Sequence, residues 1–432
     1  MQRIGTATLL SASGAAAYGL ALVALDALIA YRYGLGSQAA VFQAAFQVPA
    51  ALINIISGGA ILGALIPLVS RSLRQSDPSG TSDLLSGVAG FILALQSLVV
   101  LAMVAAVPLV AQGVASGFSA ELKADTATVL RWILPLLVLN GLASIGISTL
   151  LAARRVVLAN LAPALMPLAG MLTWPFWDEH GALWIAWGCL AGVALQVIVL
   201  TIGLRRDRLR FLPPAWPRGE AVRFFMRSFA ATGLAHAALS AVLLVNTALA
   251  GSISGRELAA FGYGSRLVLL ALAFLTSLIN NVGLPYLSEL AQQADREMFR
   301  RRLLHIIRLA GAAGFVLAFT WLAAAGWIVD LIYARGSFNA ADVATVANVQ
   351  RFFVLQAPFS LAGVVCWRAL NVSGEWRPLV LASLAALVID VAAATALAPS
   401  YASAGIAGAH TLGMAAWSAV LLFAIHQRYP RA

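Results

Sequence analysis

The sequence predicts an all-α, polytopic membrane protein of about twelve transmembrane helices, and its composition supports this directly. Hydrophobic residues make up 61% of the 432 residues, and charged residues make up only 10%. The apolar residues come in long runs, and short breaks that carry arginine separate these runs. Because soluble domains contain about 25% charged residues, the composition excludes a cytosolic enzyme, a disordered chain and a disulfide-stabilised secreted domain.

Each of twelve apolar runs is long enough to cross a bilayer, which requires about 20 residues. The predicted spans are residues 4–31, 38–70, 83–112, 124–153, 157–176, 181–204, 222–251, 257–290, 299–333, 343–370, 377–397 and 402–426. Several are longer than a bilayer requires, so we expect tilted or bent helices.

The distribution of basic residues predicts the orientation of these spans. With the N-terminus placed in the cytoplasm, the inner breaks and adjoining turns hold twenty arginines, whereas the outer ones hold four basic residues. Membrane proteins retain basic residues on the cytoplasmic side, so both termini are expected in the cytoplasm. The same bias explains the net charge of +11, and no nucleic-acid partner is expected.

Two six-helix lobes are predicted, because the longest polar break lies near the middle of the chain. The predicted domains are an N-lobe over 1–204, a cytoplasmic linker over 205–221 and a C-lobe over 222–432. Span two ends in IPLVS at 66–70, and span eight ends in LPYLS at 284–288. Two halves in the same orientation form a parallel repeat with a pseudo-twofold axis along the membrane normal. Such a duplication favours transport through a cavity between the lobes.

The sequence contains no recognisable catalytic or metal-binding motif. There is no P-loop, no HExxH sequence and no pair of carboxylates at helical spacing within one span. The five histidines lie on different segments, without the spacing of metal ligands. Cys189 and Cys366 lie inside apolar runs and are interpreted as small core residues. We therefore expect no enzyme activity, no bound metal and no cofactor.

Ionisable residues inside the spans are candidates for function, because each costs several kcal/mol unless it faces a cavity or a partner. Arg266, in span eight, is predicted to bind phosphate, since a guanidinium group pairs bidentately with phosphate oxygens. Snorkelling toward the outer face is the alternative. Asp26, in span one, is either functional or part of a structural ion pair. Asn54, in span two, is either part of the substrate site or an interhelical hydrogen-bond partner.

A cation site is predicted around Asp390, in span eleven. Its proposed partners are Thr411 in span twelve and Ser240 or Asn246 in span seven. Na⁺ or H⁺ would then be the coupling ion. A protonated, hydrogen-bonded structural aspartate is the alternative.

Prolines inside the predicted spans are a second indication of function, because a proline inside a helix removes a hydrogen bond and bends the helix. Bent helices around a cavity are typical of transporters, although structural bends without motion are the alternative. The prolines within the predicted spans are Pro49, Pro67, Pro108, Pro135, Pro163, Pro167, Pro285 and Pro358.

Residues 26–70 (DALIAYRYGLGSQAAVFQAAFQVPAALINIISGGAILGALIPLVS) resemble the first two helices of the MurJ/MviN lipid II flippases. This family belongs to the multidrug/oligosaccharidyl-lipid/polysaccharide exporter superfamily. Four later segments resemble the family in the same order: YGSRL at 263–267, LPYLS at 284–288, IVDLIYARGSFNAADV at 328–343 and GEWRPL at 374–379. The resemblance covers essentially the whole chain.

The resemblance implies a two-lobed flippase of the bacterial inner membrane that opens alternately inward and outward. Its substrate would be a polyprenyl-diphosphate-linked glycan, and its partners would be membrane lipids and enzymes of envelope-glycan synthesis. Arg266 matches the family's cavity arginine in helix eight, which is thought to meet the diphosphate. Asp390 lies in the helix that contributes to a sodium site in some members.

The sequence departs from the family at charged positions of the N-lobe cavity. Leu25 stands where the family has an arginine before the aspartate, and Ala40 stands at an acidic position. Ile53 and Asn54 replace a double arginine. These departures favour another lipid-linked glycan, such as an exopolysaccharide or capsule repeat unit, over lipid II.

Two other function classes remain open. A cation-coupled exporter of drugs or small molecules, from the same superfamily, would need carboxylates such as Asp26 and Asp390 in its cavity. A non-transporting scaffold for envelope-glycan synthesis would need none of these residues.

Overall fold

Helices account for every regular element in the part of the chain that the structure describes. The structure is a computed structural model, and it describes residues 2–74, 78–206, 214–216, 218–293 and 296–429. The first ten α-helices are Gln2–Tyr33 (α1), Ser37–Ile53 (α2), Leu62–Arg74 (α3), Pro78–Val114 (α4), Ala120–Ile133 (α5), Leu136–Ala152 (α6), Val156–Leu161 (α7), Leu165–Leu172 (α8), Trp177–His180 (α9) and Ala182–Arg206 (α10). The others are Glu220–Ile253 (α11), Gly255–Gln293 (α12), Arg296–Tyr333 (α13), Ala340–Val354 (α14), Ala357–Val372 (α15) and Trp376–Arg428 (α16).

The number of membrane crossings agrees with the sequence prediction once two bent elements are taken into account. Within the described residues, ten helical segments are long and apolar enough to cross a bilayer. Helices α14 and α15, bent by 42° at their junction, form an eleventh crossing. The 53 residues of α16 supply two crossings rather than one, which gives twelve.

Helix α16 is a hairpin of two antiparallel arms, where the sequence predicts two separate spans. The chain reverses at Ala402, whose backbone is not helical (φ 49°, ψ −136°). A Cβ atom on Gly405 would lie 2.6 Å from the Leu397 carbonyl oxygen, and one on Gly413 would lie 2.9 Å from Asp390 Cβ. Glycine at both positions therefore lets the arms pack closely, and Glu257 of α12 accepts hydrogen bonds from the Ser403 backbone and side chain just after the turn.

Several of the predicted proline bends coincide with helix breaks. Pro135 separates α5 from α6, Pro163 lies in a 3₁₀ turn between α7 and α8, and Pro358 lies at the start of α15, just after the 42° bend. Pro49 and Pro67 lie inside α2 and α3, on either side of a π-helix over Asn54–Ile61. The predicted single helix of span five is thus a series of short helical pieces.

Packing divides the chain into two units. One comprises Met1–Leu28 and Ser37–Ser240, and the other comprises Ile29–Gly36 and Ala241–Ala432. The first part of α11 therefore packs with the preceding helices, and the rest of α11 packs with the following ones. The predicted boundaries of lobes and linker stay predictions, and most of the linker lies outside the described residues.

The first unit has an apolar core to which α11 contributes. Phe225 and Phe229 of α11 contact Phe91 of α4 edge to face, with ring centroids 6.2 and 5.7 Å apart. Ala215, between α10 and α11, donates its backbone N–H to the Ser86 carbonyl of α4. The first part of α11 is thereby fixed to α4.

The second unit depends on the close approach of α13 and α15. A Cβ atom on Gly314 would lie 2.4 Å from Pro358 Cα, closer than any side chain allows. One turn earlier, a Cβ atom on Gly311 would have no atom nearer than 3.9 Å. Glycine is therefore required at the first position and not at the second.

The Gly314→Ala variant should lower the free energy of unfolding by about 1–3 kcal/mol, because the added methyl group overpacks the α13–α15 contact. Gly311→Ala, on the same helix, should leave stability unchanged or raise it slightly. Thermal unfolding of the purified full chain in detergent measures both. Equal melting temperatures for the two variants would contradict this description of the contact.

Candidate functional site

A carboxylate is buried in the second unit, where α11 meets the first arm of α16. Asp390 is completely shielded from solvent, and so is Asn246 of α11. The Asn246 amide nitrogen lies 3.0 Å from Asp390 Oδ1 and 2.8 Å from Oδ2, and donates to both oxygens. The sequence prediction that Asn246 is a partner of Asp390 thus agrees with their positions.

Histidine from the second arm of α16 completes this group. His410 Nδ1 lies 3.3 Å from the Asn246 amide nitrogen. Its ring stacks on Phe353 of α14, with centroids 4.7 Å apart and an interplanar angle of 6°. We refer to Asn246, Asp390 and His410 as the Asp390 cluster.

Within the described residues, the Asp390 cluster has a carboxylate without a counter-ion and an amide oxygen that accepts no hydrogen bond. No lysine or arginine among the described residues forms an ion pair with Asp390. Asn246 Oδ1 is buried and accepts no hydrogen bond within the described part of the chain. A buried carboxylate without a counter-ion takes up either a proton or a cation. Carboxylate and amide oxygens together are suitable ligands for a small hard cation.

Two other residues predicted for this site lie outside the Asp390 cluster. The Thr411 hydroxyl donates to the Phe352 carbonyl oxygen at 2.8 Å instead of meeting Asp390. Ser240 precedes Asn246 by six residues, so it lies about 9 Å away along α11 and on a different face. Their roles as cation ligands stay predictions.

Sequence reasoning did not select His410. No metal-ligand spacing connects it to other histidines, although an ionisable residue inside a span is itself an indication of function. The hairpin turn at Ala402 brings it next to Asn246, and the sequence around the turn does not reveal this packing. In the described residues, no three His, Cys, Asp or Glu side chains form a potential metal site.

Arg266 lies on α12, eleven residues from its start, or about 16 Å along the helix. That depth is about half of the 30 Å hydrocarbon layer. The preceding residues fix this part of α12 in the second unit: Tyr263 packs on Tyr333, and Gly264 lies against Val349. Arg266 is half-buried and is not bonded to any member of the Asp390 cluster.

The remaining predicted substrate residues belong to the first unit. Asp26 lies in α1 and is completely shielded from solvent, next to the buried Leu25. Asn54 is the first residue of the π-helix, and its side chain is exposed. An exposed amide in a span can meet a substrate. The joint substrate site of Arg266, Asp26 and Asn54 stays a prediction.

Comparison with known families gives one match over most of the chain. The profile of the MurJ family, described as lipid II flippase MurJ, matches residues 29–431.

Curated relatives carry the same description. The chain is 25% identical over 371 residues to the "Probable lipid II flippase MurJ" of Synechocystis sp., and 26% identical over 376 residues to that of Rhizobium tropici. These alignments cover 81% and 82% of this chain, and 68% and 67% of the two relatives. A third relative, from Bdellovibrio bacteriovorus, is 28% identical, and the alignment covers 68% of this chain and 54% of that protein.

Solved structures share the fold over nearly the whole chain. Lipid II flippase MurJ in an inward closed conformation has a TM-score of 0.78 at 17% identity, with 98% of this chain and 87% of that chain covered. An inward-facing MATE family multidrug resistance transporter of the MOP superfamily has a TM-score of 0.79 at 15% identity, with 98% of both chains covered. At these identities the likeness concerns the fold alone.

Removing Asn246 should destabilise the second unit, because Asp390 would lose the amide that donates to both of its oxygens. We expect Asn246→Ala to lower the free energy of unfolding by about 1–3 kcal/mol and Ser240→Ala, on the same helix, to have little effect. Thermal unfolding of Asn246→Ala, Asp390→Ala and the double variant measures the coupling between the two residues. Strictly additive effects would contradict a direct Asn246–Asp390 interaction.

Proposed function

Because the chain belongs to the MurJ family of lipid II flippases, we propose that it moves a polyprenyl-diphosphate-linked glycan across the bacterial inner membrane. The observation that carries this proposal is the family match over residues 29–431, which includes both halves of the chain. Proteins of this family are transporters rather than enzymes. Cytoplasmic termini are part of the proposal, supported by the excess of basic residues at one end of the spans.

Arg266 is the residue we propose for the diphosphate. A guanidinium group held halfway through the membrane offers a fixed cation with several N–H donors, and a diphosphate has oxygens to match them. A group that is half-buried keeps part of its surface available for a ligand. The hydrocarbon tail of the substrate would stay in the lipid while its sugars pass through a polar route during alternating access.

The choice of glycan rests on two opposing observations. The relatives are named lipid II flippases, which supports lipid II as the substrate. The N-lobe has Leu25, Ala40 and Ile53 at positions where charged residues are typical of the family, and this supports a head group that needs fewer ionic contacts. An exopolysaccharide or capsule repeat unit on the same diphosphate carrier is therefore the second candidate.

The Asp390 cluster is the proposed site for the coupling ion. Its carboxylate accepts hydrogen bonds from the Asn246 amide, and no lysine or arginine among the described residues forms an ion pair with it, so binding of Na⁺ or H⁺ would remove an uncompensated charge. A site that changes charge when it is filled can favour one conformation of the protein over another. A cation-coupled exporter could use such a cluster too, whereas a scaffold has no use for it or for Arg266.

Arg266→Gln should abolish the ability of this chain to rescue a bacterium depleted of its own lipid II flippase. Arg351→Gln is the matched control, since Arg351 lies in the same unit, is exposed and donates to Asn348. We expect rescue by the wild-type chain and by the control at equal membrane levels. Rescue by Arg266→Gln would contradict the proposed role of Arg266.

If the wild-type chain inserts normally and does not rescue, lipid II is excluded as its substrate. Deletion in the native host should then cause another polyprenyl-diphosphate-linked glycan to accumulate in the cytoplasmic leaflet.

Asp390→Asn should remove the response of the protein to its coupling ion. The melting temperature of the purified wild-type chain should depend on Na⁺ at constant ionic strength, or on pH in the absence of Na⁺. The Asp390→Asn variant should respond to neither, while Ser252→Ala, at an exposed position of α11, should respond as the wild type does. An unchanged response in Asp390→Asn would contradict the proposed ion site.

A further inference from the structure

The beginning of α13 carries an unusual density of positive charge. Arg300, Arg301, Arg302, His305 and Arg308 follow within little more than two turns, and Glu297 is the one acidic residue in residues 297–308. Glu297 is already engaged by Arg301, at 2.9 Å from Nε. Arg308 forms no ion pair or hydrogen bond within the described part of the chain.

The exposed side chains of α13 mark where the hydrocarbon layer ends. Large apolar side chains are exposed on this helix from Leu309 to Leu331, a distance of about 33 Å, which matches the roughly 30 Å thickness of the hydrocarbon layer. Arg308 immediately precedes this apolar stretch. Residues 300–308 therefore lie at the level of the lipid head groups, on the side that the basic residues assign to the cytoplasm.

Arg300 is buried at this level, and the described residues satisfy its guanidinium group only in part. It continues the buried stripe formed by Leu303, Ile307, Ala310 and Gly314, and only 8% of it is exposed. Among the described residues it forms an ion pair with Glu297, with Nη1 3.6 Å from Oε2, and its Nε has no hydrogen-bond acceptor there. A guanidinium group in this position requires an anion or water, because unsatisfied buried donors are costly.

A second arginine, with no hydrogen-bond or ion-pair partner among the described residues, comes from the helix packed against α13. Arg368, on α15, is half-buried and forms no hydrogen bond or ion pair with any described residue. The contact of Gly314 with Pro358 fixes the register of these antiparallel helices. Measured from that contact along α13, Arg308 is about 9 Å away and Arg300 about 21 Å away. Measured in the same direction along α15, Arg368 is about 15 Å away. Arg368 thus lies at a level between the other two.

We propose that Arg300 and Arg368, with Arg308 beside them, bind the phosphate of an anionic phospholipid of the cytoplasmic leaflet, such as phosphatidylglycerol. The phosphate supplies the acceptor oxygens that the guanidinium groups lack. Basic sites between transmembrane helices at this depth suit anionic head groups.

The surface beside this site favours a lipid over a free phosphate ion. Leu309, Phe315 and Val316 are exposed on α13, and Phe315 lies about two turns below Arg308 on the same face, where acyl chains of the same lipid would lie. A free phosphate ion gains nothing from this apolar surface. The site is distinct from Arg266, which lies on α12 near the middle of the membrane.

Binding of phosphatidylglycerol, of phosphatidylcholine with the same acyl chains and of inorganic phosphate to the purified full chain tests this proposal. Native mass spectrometry measures lipid affinity, and the ligand-dependent change in melting temperature is measured within each variant, so that general destabilisation cancels. We expect phosphatidylglycerol to bind in preference to phosphatidylcholine. Arg368→Gln and Arg300→Gln should each weaken the binding of phosphatidylglycerol about tenfold.

The matched control is Arg428→Gln, which removes an exposed arginine paired with Glu375 in the same unit and should leave the preference intact. Arg368→Lys keeps the charge and should keep most of the preference. Equal binding of the two lipids, or an unchanged preference in both glutamine variants, would overturn the proposal. Stabilisation by inorganic phosphate equal to that by phosphatidylglycerol would overturn the lipid as the ligand.

Discussion

The hydrogen bonds between Asn246 and Asp390 connect α11 to the hairpin of α16, and the candidate ion site depends on them. In an apolar surrounding, a carboxylate must be protonated, paired or solvated by the protein. Here a single amide donates to both oxygens, and this requires Asn246 of α11 to come within hydrogen-bond distance of the first arm of α16. The second arm comes close enough to add His410 because Gly413 presents no side chain toward Asp390. The close packing of the two arms of α16 therefore places Asp390 and His410 around the same asparagine, Asn246.

Whether a polar group is satisfied within the protein also separates structural from functional polar residues elsewhere. The Thr411 hydroxyl is satisfied by the Phe352 carbonyl oxygen, and Ser403 is satisfied by Glu257, so these groups stabilise helix contacts. Asp390, Arg300 and Arg368 are not fully compensated by the described residues. Groups of this kind are expensive in a membrane protein, and a ligand is the simplest compensation. We assign an ion to the first and a lipid phosphate to the other two.

The sequence was sufficient to predict the helical class, the crossings and several of the breaks. Long apolar runs can only form helices in lipid, because each backbone group needs an internal hydrogen-bond partner. Proline explains the breaks at Pro135, Pro163 and Pro358. The reversal at Ala402 was predicted only as a gap between two spans, since alanine gives no signal for a positive φ angle. Arg266 stands out as an ionisable residue inside an apolar span, and the family resemblance matches it to a cavity arginine.

The site could be predicted only in part. Asp390 and Asn246 stand out in the sequence as polar residues in apolar spans, and they are in contact. His410 was missed because its role depends on how the two arms of α16 pack. Ser240 is the alternative to Asn246 as a polar residue of span seven, and helical geometry places it on another face of α11. Which polar residues join Asp390 therefore depends on contacts between helices, and the sequence does not reveal these contacts.

The central claim is that this chain recognises a diphosphate-linked lipid, and transport in proteoliposomes tests it most directly. The purified chain would be supplied with labelled lipid II and with an analogue that carries the same glycan on the same polyprenyl chain without the diphosphate. Outer-leaflet accessibility of the label would then be followed over time. The account predicts that the diphosphate form crosses faster than in protein-free vesicles and the analogue does not. Equal transport of both forms would contradict it.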